Sequence, residues 1–181
     1  MSLRDILAPL DRLLKQHQVQ YGVIGGYAVA AWGEVRATRD IDLLCRVKDL
    51  EAVMSALRKS NLDFEHRVGD ADDPISDVIR VQVGPAGTPY EVDLLAGIRG
   101  APPGIFERLR LVPIDDLEVP VASPEDVIVL KLLGGSARDL EDARNILRVQ
   151  GDRLDLTLLR RLCPESLNET LENLLNPESR I

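Results

Sequence analysis

Asp40 and Asp42 are separated by one residue. If they lie on a strand, both side chains point to one face and Ile41 turns into the core. Two carboxylates that close repel unless a cation or a proton sits between them. Hard oxygen donors of this kind suit Mg²⁺, which takes one or two protein carboxylates and fills its shell with phosphate oxygens and water. Upstream stand Gly25 and Gly26. A glycine pair at a helix start lets backbone N–H groups approach a phosphate, with the helix dipole behind them. Alone, Gly-Gly after a strand reads as a tight turn, and Asp-x-Asp as a solvated strand edge. In this order and spacing they form one unit, a triphosphate cradle beside a metal seat.

The elements that must hold this unit can be read around it. Tyr21 to Ile24 is an apolar run that predicts a buried strand. Tyr27 to Trp32 is a short helical pattern, opened by the glycines and closed by Gly33. A loop with Arg36, Thr38 and Arg39 leads into a second strand, Ile41 to Val47. Before this unit, Leu3, Ile6, Leu7, Leu10, Leu13 and Leu14 make one apolar stripe of a helix that Ser2 caps, with Pro9 expected to kink it or delay its start. After it come a helix from Leu50 to Lys59 capped by Asp49, and a strand from Leu62 to Val68. A hairpin follows, Asp77 to Val83 and Tyr90 to Leu95, joined by the Gly84–Pro89 turn. Asp93 sits mid-strand in that second arm, bracketed by apolar neighbours, where a carboxylate buried without a partner is costly. Glu91 shares its strand face. Adjacent strands lie about 4.8 Å apart, so Asp93 is within reach of the first pair if its strand is the neighbour.

A strand, then Gly-Gly opening a helix, then Asp-x-Asp on the next strand resembles the polymerase-beta-like nucleotidyltransferase superfamily. Gly25-Gly26-Tyr27-Ala28 followed by Arg36-Ala37-Thr38-Arg39-Asp40-Ile41-Asp42-Leu43 is most similar to the abortive-infection, toxin-type nucleotidyltransferases. It is somewhat similar to the minimal and aminoglycoside-type enzymes. The likeness is strong over the first half of the chain and loose over the second. It implies transfer of a nucleoside monophosphate from an NTP to an acceptor hydroxyl, with two Mg²⁺ ions on Asp40, Asp42 and Asp93. Such enzymes carry a third carboxylate on a neighbouring strand. Asp93 is preferred to Glu91 for that place because Val92-Asp93-Leu94-Leu95 echoes Ile41-Asp42-Leu43-Leu44. The resemblance puts Gly25 and Gly26 on the β- and γ-phosphates, with Arg36, Thr38, Lys131 and Arg138 as further nucleotide contacts. The toxin-type enzymes carry a Lys, a Lys-Asp pair and another Asp in the later helices. Here these match Lys131, Arg138-Asp139 and Asp142, with Arg in place of the second Lys. An ordinary salt-bridged helix surface is the rival reading for Arg138 and Asp139. The acceptor implied is tRNA, a protein or a small molecule such as an antibiotic, and a toxin would have an antitoxin partner. A nucleotide-binding partner without catalysis is the reading from another class.

The remaining sequence narrows these readings. The 181 residues carry a net charge of −8, with a pI of about 4.8. That argues against a broad nucleic-acid surface, since backbone affinity rests on Lys and Arg. Two histidines, His17 and His66, exclude a histidine-rich zinc site. Two cysteines at distant positions make neither a disulfide framework nor a metal spacing. No apolar run is long enough to cross a bilayer, and the first residues lack a signal-peptide layout, so the expected setting is the cytoplasm. Two short strands, Leu109 to Ile114 and Glu118 to Val121, flank an Asp115-Asp116 turn. Ser123-Pro124-Glu125-Asp126 then opens a helix to about Leu133. Helical patterns over Arg138–Val149, Leu156–Leu162 and Leu167–Leu175 follow, the last with a Ser166/Glu169 capping box. The expected fold is α+β, a mixed-sheet core over residues 1–122 and a helical C-terminal part over 123–181.

Overall fold

The computed structural model of the chain describes residues 2–34, 38, 40–84 and 90–176. Its elements run α1 (Leu3–Gln16), β1 (Tyr21–Ile24), α2 (Gly25–Trp32), β2 (Ile41–Cys45), α3 (Leu50–Lys59), β3 (Phe64–Val68), β4 (Ile75–Val83), β5 (Tyr90–Ile98), β6 (Arg110–Ile114), β7 (Leu117–Val121), α4 (Pro124–Gly134), α5 (Ala137–Gln150), α6 (Leu156–Leu162) and α7 (Asn168–Leu175). The turn joining β4 to β5 lies outside the described residues past Gly84.

Side-chain caps set most helix starts. Ser2 and Asp5 make a capping box on α1, and Ser136 and Asp139 make one on α5. Ser123 and Asp155 bond the third N–H of α4 and α6. Pro9 lies inside α1, which starts before it; the capped first turn and the buried stripe of Ile6, Leu7, Leu10, Leu13 and Leu14 hold the helix across the proline. Several sequence expectations are corrected, among them the start of β3, which is Phe64 and not Leu62. β2 ends at Cys45, and Val47–Asp49 is a 3-10 turn. Asp49 precedes α3 without a side-chain cap bond. Ser166 and Glu169 do not box α7, because a 3-10 turn over Glu165–Leu167 intervenes and puts Leu167 at the cap.

The strands form one mixed sheet in the order β3-β4-β5-β2-β1-β7-β6. β2 runs antiparallel to β1 and parallel to β5, while β4 and β5 form the antiparallel hairpin. Register assigns the faces, since side chains alternate along a strand. Tyr21, Val23, Ile41, Leu43, Val92, Leu94, Ile79 and Val81 share one face, and each is buried. α1 packs there, where Tyr21 Oη donates to Asp11 Oδ1 at 2.7 Å.

The opposite face is divided. Over β1 and β2 it is covered by α2, behind which stand α4 and α5. Trp32, at the end of α2, donates from Nε1 to the Ala122 carbonyl at 2.7 Å and so ties that helix to the end of β7. Over β3, β4 and β5 the same face carries Glu65, Arg67, Arg80, Gln82 and Glu91, all exposed. The carboxylates of interest lie at the boundary between the covered and the open halves. The apolar core is continuous from α1 through α7.

Candidate active site

β1 ends where α2 begins, and the chain turns there on Gly25 at φ +61°. Ile24 is the register partner of Asp42, which brings the Asp42 carboxylate against the Gly25 backbone. A Cβ on Gly25 would run into that carboxylate, and one on Gly26 would come 2.5 Å from Thr38 Oγ1. Glycine is required at both positions by close approach, and at Gly25 by the left-handed backbone as well. α2 also differs from α1, α4, α5 and α6 in its start. Its cap is Ile24, with no side-chain bond and no acid in the first turn. The first N–H groups of a helix lack partners within it, and an uncapped glycine start leaves them open to an anion.

The echo between the two tetrapeptides is a physical alignment. Ile41, Asp42, Leu43 and Leu44 pair in parallel with Val92, Asp93, Leu94 and Leu95, residue for residue. Asp42 and Asp93 are therefore direct neighbours on one face. Burial, the charge of Asp93 and the charge of Asp40 push the Asp42 carboxyl up from 3.8 to about 6, and Lys131 pulls it back. Asp40 itself is exposed and stands one residue ahead of β2, which starts at Ile41. The expectation that Asp40 and Asp42 lie on one strand is corrected to that extent, although the charge of Asp40 still reaches Asp42.

Asp93 has a partner that the sequence reading did not name. Arg80 faces it across β4 and β5. Arg80 donates to both its oxygens, from Nε and NH2, each at 2.8 Å. Glu91 lies 3.7 Å from the same guanidinium. The signal for Arg80 was present: strands ending at Val83 and starting at Tyr90 fix a hairpin register that sets Arg80 opposite Asp93. Beside these groups is a cleft of about 420 Å³ lined by Asp42, Asp93, Arg80, Glu65, Arg67 and Leu95 among others. Among the described residues no three Asp, Glu, His or Cys side chains converge as a ready-made metal cage.

The other expected contacts are distributed. Thr38 lies over the first turn of α2 and bonds the Asp40 carbonyl at 3.4 Å. Arg36 falls outside the described residues. Lys131 is clasped between α4 and α5, donating to Asp139 Oδ1 at 2.8 Å and lying 3.0 Å from Asp142 Oδ2. Burial works against the Asp139 charge, but bonds from Lys131 and Ser136 hold its carboxyl below the usual range. Arg138 is exposed on α5. A further ion pair lies at the start of α4, where the half-buried Arg108 forks onto Asp126 and Ser123 Oγ donates to it at 2.7 Å. Asp126 is fully buried, and this pair fastens the segment before β6 to the helix.

Residues 1–176 match the model of a family described as a nucleotidyltransferase of unknown function (DUF6036). The chain belongs to that family. Among solved structures it is similar to the antibiotic-resistance factor ANT(2'')-Ia in solution, at 14% identity, 97% of this chain, 96% of that one and a TM-score of 0.61. An antigenic nucleotidyltransferase-like protein from Paracoccidioides brasiliensis matches at 18% identity, 97% and 94% coverage and a TM-score of 0.57. The lincomycin-bound lincosamide antibiotic adenylyltransferase LnuA matches at 18% identity, 82% and 98% coverage and a TM-score of 0.51. No curated protein matches the sequence. These likenesses agree with the expected α+β nucleotidyltransferase fold, a mixed sheet flanked by helices. No described helix is long and apolar enough to cross a membrane.

Proposed function

We propose that this nucleotidyltransferase moves a nucleoside monophosphate from an NTP to the hydroxyl of an acceptor, releasing pyrophosphate. The observation that carries the reading is the direct pairing of Asp42 with Asp93 beside an uncapped Gly-Gly helix start. The donor set is hard oxygen, and the cradle at Gly25 and Gly26 is one that any Cβ would fill, so Mg²⁺ on an NTP fits the residues present. Asp40, Asp42 and Asp93 would hold the metal, which supplies charge neutralisation at the phosphates and the attacking oxygen. The first N–H groups of α2 bind the terminal phosphates, and Thr38 closes over them. Asp93, facing the open cleft, takes up the acceptor's hydroxyl proton as its oxygen attacks the α-phosphorus and the bond to the β-phosphate oxygen breaks. Arg36, Lys131 and Arg138 belong to this reading as secondary contacts for the phosphates. A cytoplasmic setting, where NTPs are plentiful, suits it.

The acceptor side favours a small cationic, hydroxyl-bearing molecule over tRNA. The cleft and its extension along β3–β5 bring Asp42, Asp93, Asp63, Glu65 and Glu91 against only Arg67 and Arg80. A polyanion finds little there to neutralise its backbone. The lincosamide enzyme shows that this fold can serve a small-molecule acceptor.

The test supplies each of four α-labelled NTPs with Mg²⁺ to the pure protein and offers polyhydroxylated amines, total tRNA and a protein extract in turn. Label on the amines supports the reading. Label on tRNA or protein instead overturns the acceptor class and returns the chain to the toxin-type reading with its antitoxin. Mg-NTP binding without transfer to any pool makes it a non-catalytic partner.

A further inference from the structure

The guanidinium of Arg80 occupies the carboxylate that the proposed reaction needs. Both oxygens of Asp93 accept from it at 2.8 Å, a forked arrangement that is among the stronger charge-assisted pairings. A Mg²⁺ ion bound to the same oxygens would sit at about 2.0–2.1 Å, with two positive centres competing for one carboxylate. Arg80 is not locked in place. Its side chain is 48% exposed, and a second acceptor, Glu91 Oε2, lies 3.7 Å from NH1. Glu65, its register partner on β3, flanks it on the other side. Asp42, by contrast, has no cation bonded to it among the described residues. Among the described residues, one side of the carboxylate pair is thus filled by a resident cation and the other is not.

We propose that Arg80 is a built-in stand-in for the acceptor-side metal, neutralising Asp93 until that ion binds and then shifting to Glu91 and Glu65. The inference rests on the metal-dependent transfer reading and adds an order of events. The nucleotide enters with its metal at Asp42, where no described guanidinium must be moved. The acceptor-side site fills afterwards and more weakly, because it must displace the fork. Arg80 therefore acts through Asp93, as a positioning residue that sets how much free metal the second site requires.

The experiment measures Mn²⁺ binding to the full chain in the presence of a non-hydrolysable NTP analogue, following free Mn²⁺ by its electron paramagnetic resonance signal. Wild-type protein should show a tighter and a weaker site. Arg80→Gln should tighten the weaker site by about tenfold and leave the tighter one within about twofold, on the scale of a lost charged pairing. Arg80→Lys, which keeps the charge and loses the fork, should fall between. Arg67→Gln removes an equal charge from the same cleft without touching Asp93, and should change either site by less than about twofold. Circular dichroism confirms folding of each variant. An unchanged or weakened second site in Arg80→Gln overturns this inference alone. Equal tightening in Arg67→Gln overturns it in favour of net charge. Absence of any Mn²⁺ binding by wild-type protein overturns the functional reading, and this inference with it.

Discussion

Asp42→Asn should make the metal-free protein more stable while removing its capacity for Mg-NTP. The Asp42 carboxyl is pushed up from 3.8 to about 6 by burial and by Asp93 and Asp40. Folding therefore opposes its ionisation, and the difference corresponds to about 3 kcal/mol at neutral pH. The group retains some contact with water, so about 2 kcal/mol is the working figure. For a chain of this size that is a rise in Tm of about 4–8 °C. The sign is fixed by linkage. With the folded value above the unfolded one, the native state holds the proton more tightly, so stability from this group is present at low pH and lost as pH rises through about 6. The mutant's advantage should vanish below about pH 4, grow between about pH 4 and 6, and stay level above. Thermal melts of both proteins in chelator across that range measure it. Adding Mg-NTP should then stabilise the wild type and leave the mutant unmoved. A mutant that melts below the wild type at neutral pH, or whose advantage persists undiminished at about pH 4, refutes the argument that Asp42 is a strained, metal-seeking carboxylate.

Three further substitutions separate the parts of the site. Asp93→Asn should retain Mg-NTP affinity yet lose transfer by orders of magnitude in single-turnover assays, with Glu91→Gln much milder; the reverse result makes Glu91 the third carboxylate. Gly26→Val should abolish NTP binding by filling the space that Thr38 now approaches, and a folded variant with unchanged affinity in calorimetry removes the glycine pair from the site. Lys131→Ala takes the shared cation from Asp139 and from Asp142, whose side chain is 4% exposed, and should cost about 2–4 kcal/mol in denaturant unfolding. Nucleotide affinity should fall as well if Lys131 is a secondary phosphate contact, and unchanged affinity removes it from that role.

The half of the fold that carries local signals was legible in advance. The four residues of β1, the boundaries of α3 and α6, and the turn-side ends of the hairpin arms follow from apolar runs and turn residues, while the far ends run past the expected Asp77 and Leu95 to Ile75 and Ile98. The pairing of Asp42 with Asp93 was visible as a repeated tetrapeptide, because parallel neighbours buried on the same face need the same pattern of side chains. What failed depended on distant partners. β2 cannot extend back to Asp40, since its parallel ladder with β5 begins at Ile41 and Val92. For Asp139 the sequence leaves two readings open, a match to the Lys-Asp pair of the resembled family and a salt-bridged helix surface. Only the turn after Gly134 reveals it as both the capping partner of Ser136 and the acceptor for Lys131. Arg80, between Ile79 and Val81, looks like an ordinary solvated strand position, and its meaning comes from the register alone.

Trp32 is the only tryptophan in the chain and the last residue of α2. It sits about 10 Å, six to seven residues of rise, from the glycines that open the same helix. Its indole is bonded to Ala122, and the Arg110 guanidinium lies 5.8 Å from its ring. Any tilt of α2 as phosphates dock at one end must alter the bond or the cation at the other. The protein thus carries its single tryptophan, which can be excited apart from the three tyrosines, at the far end of the lever that the nucleotide would move. Its emission offers an optical titration of donor binding that needs no label, no acceptor and no turnover.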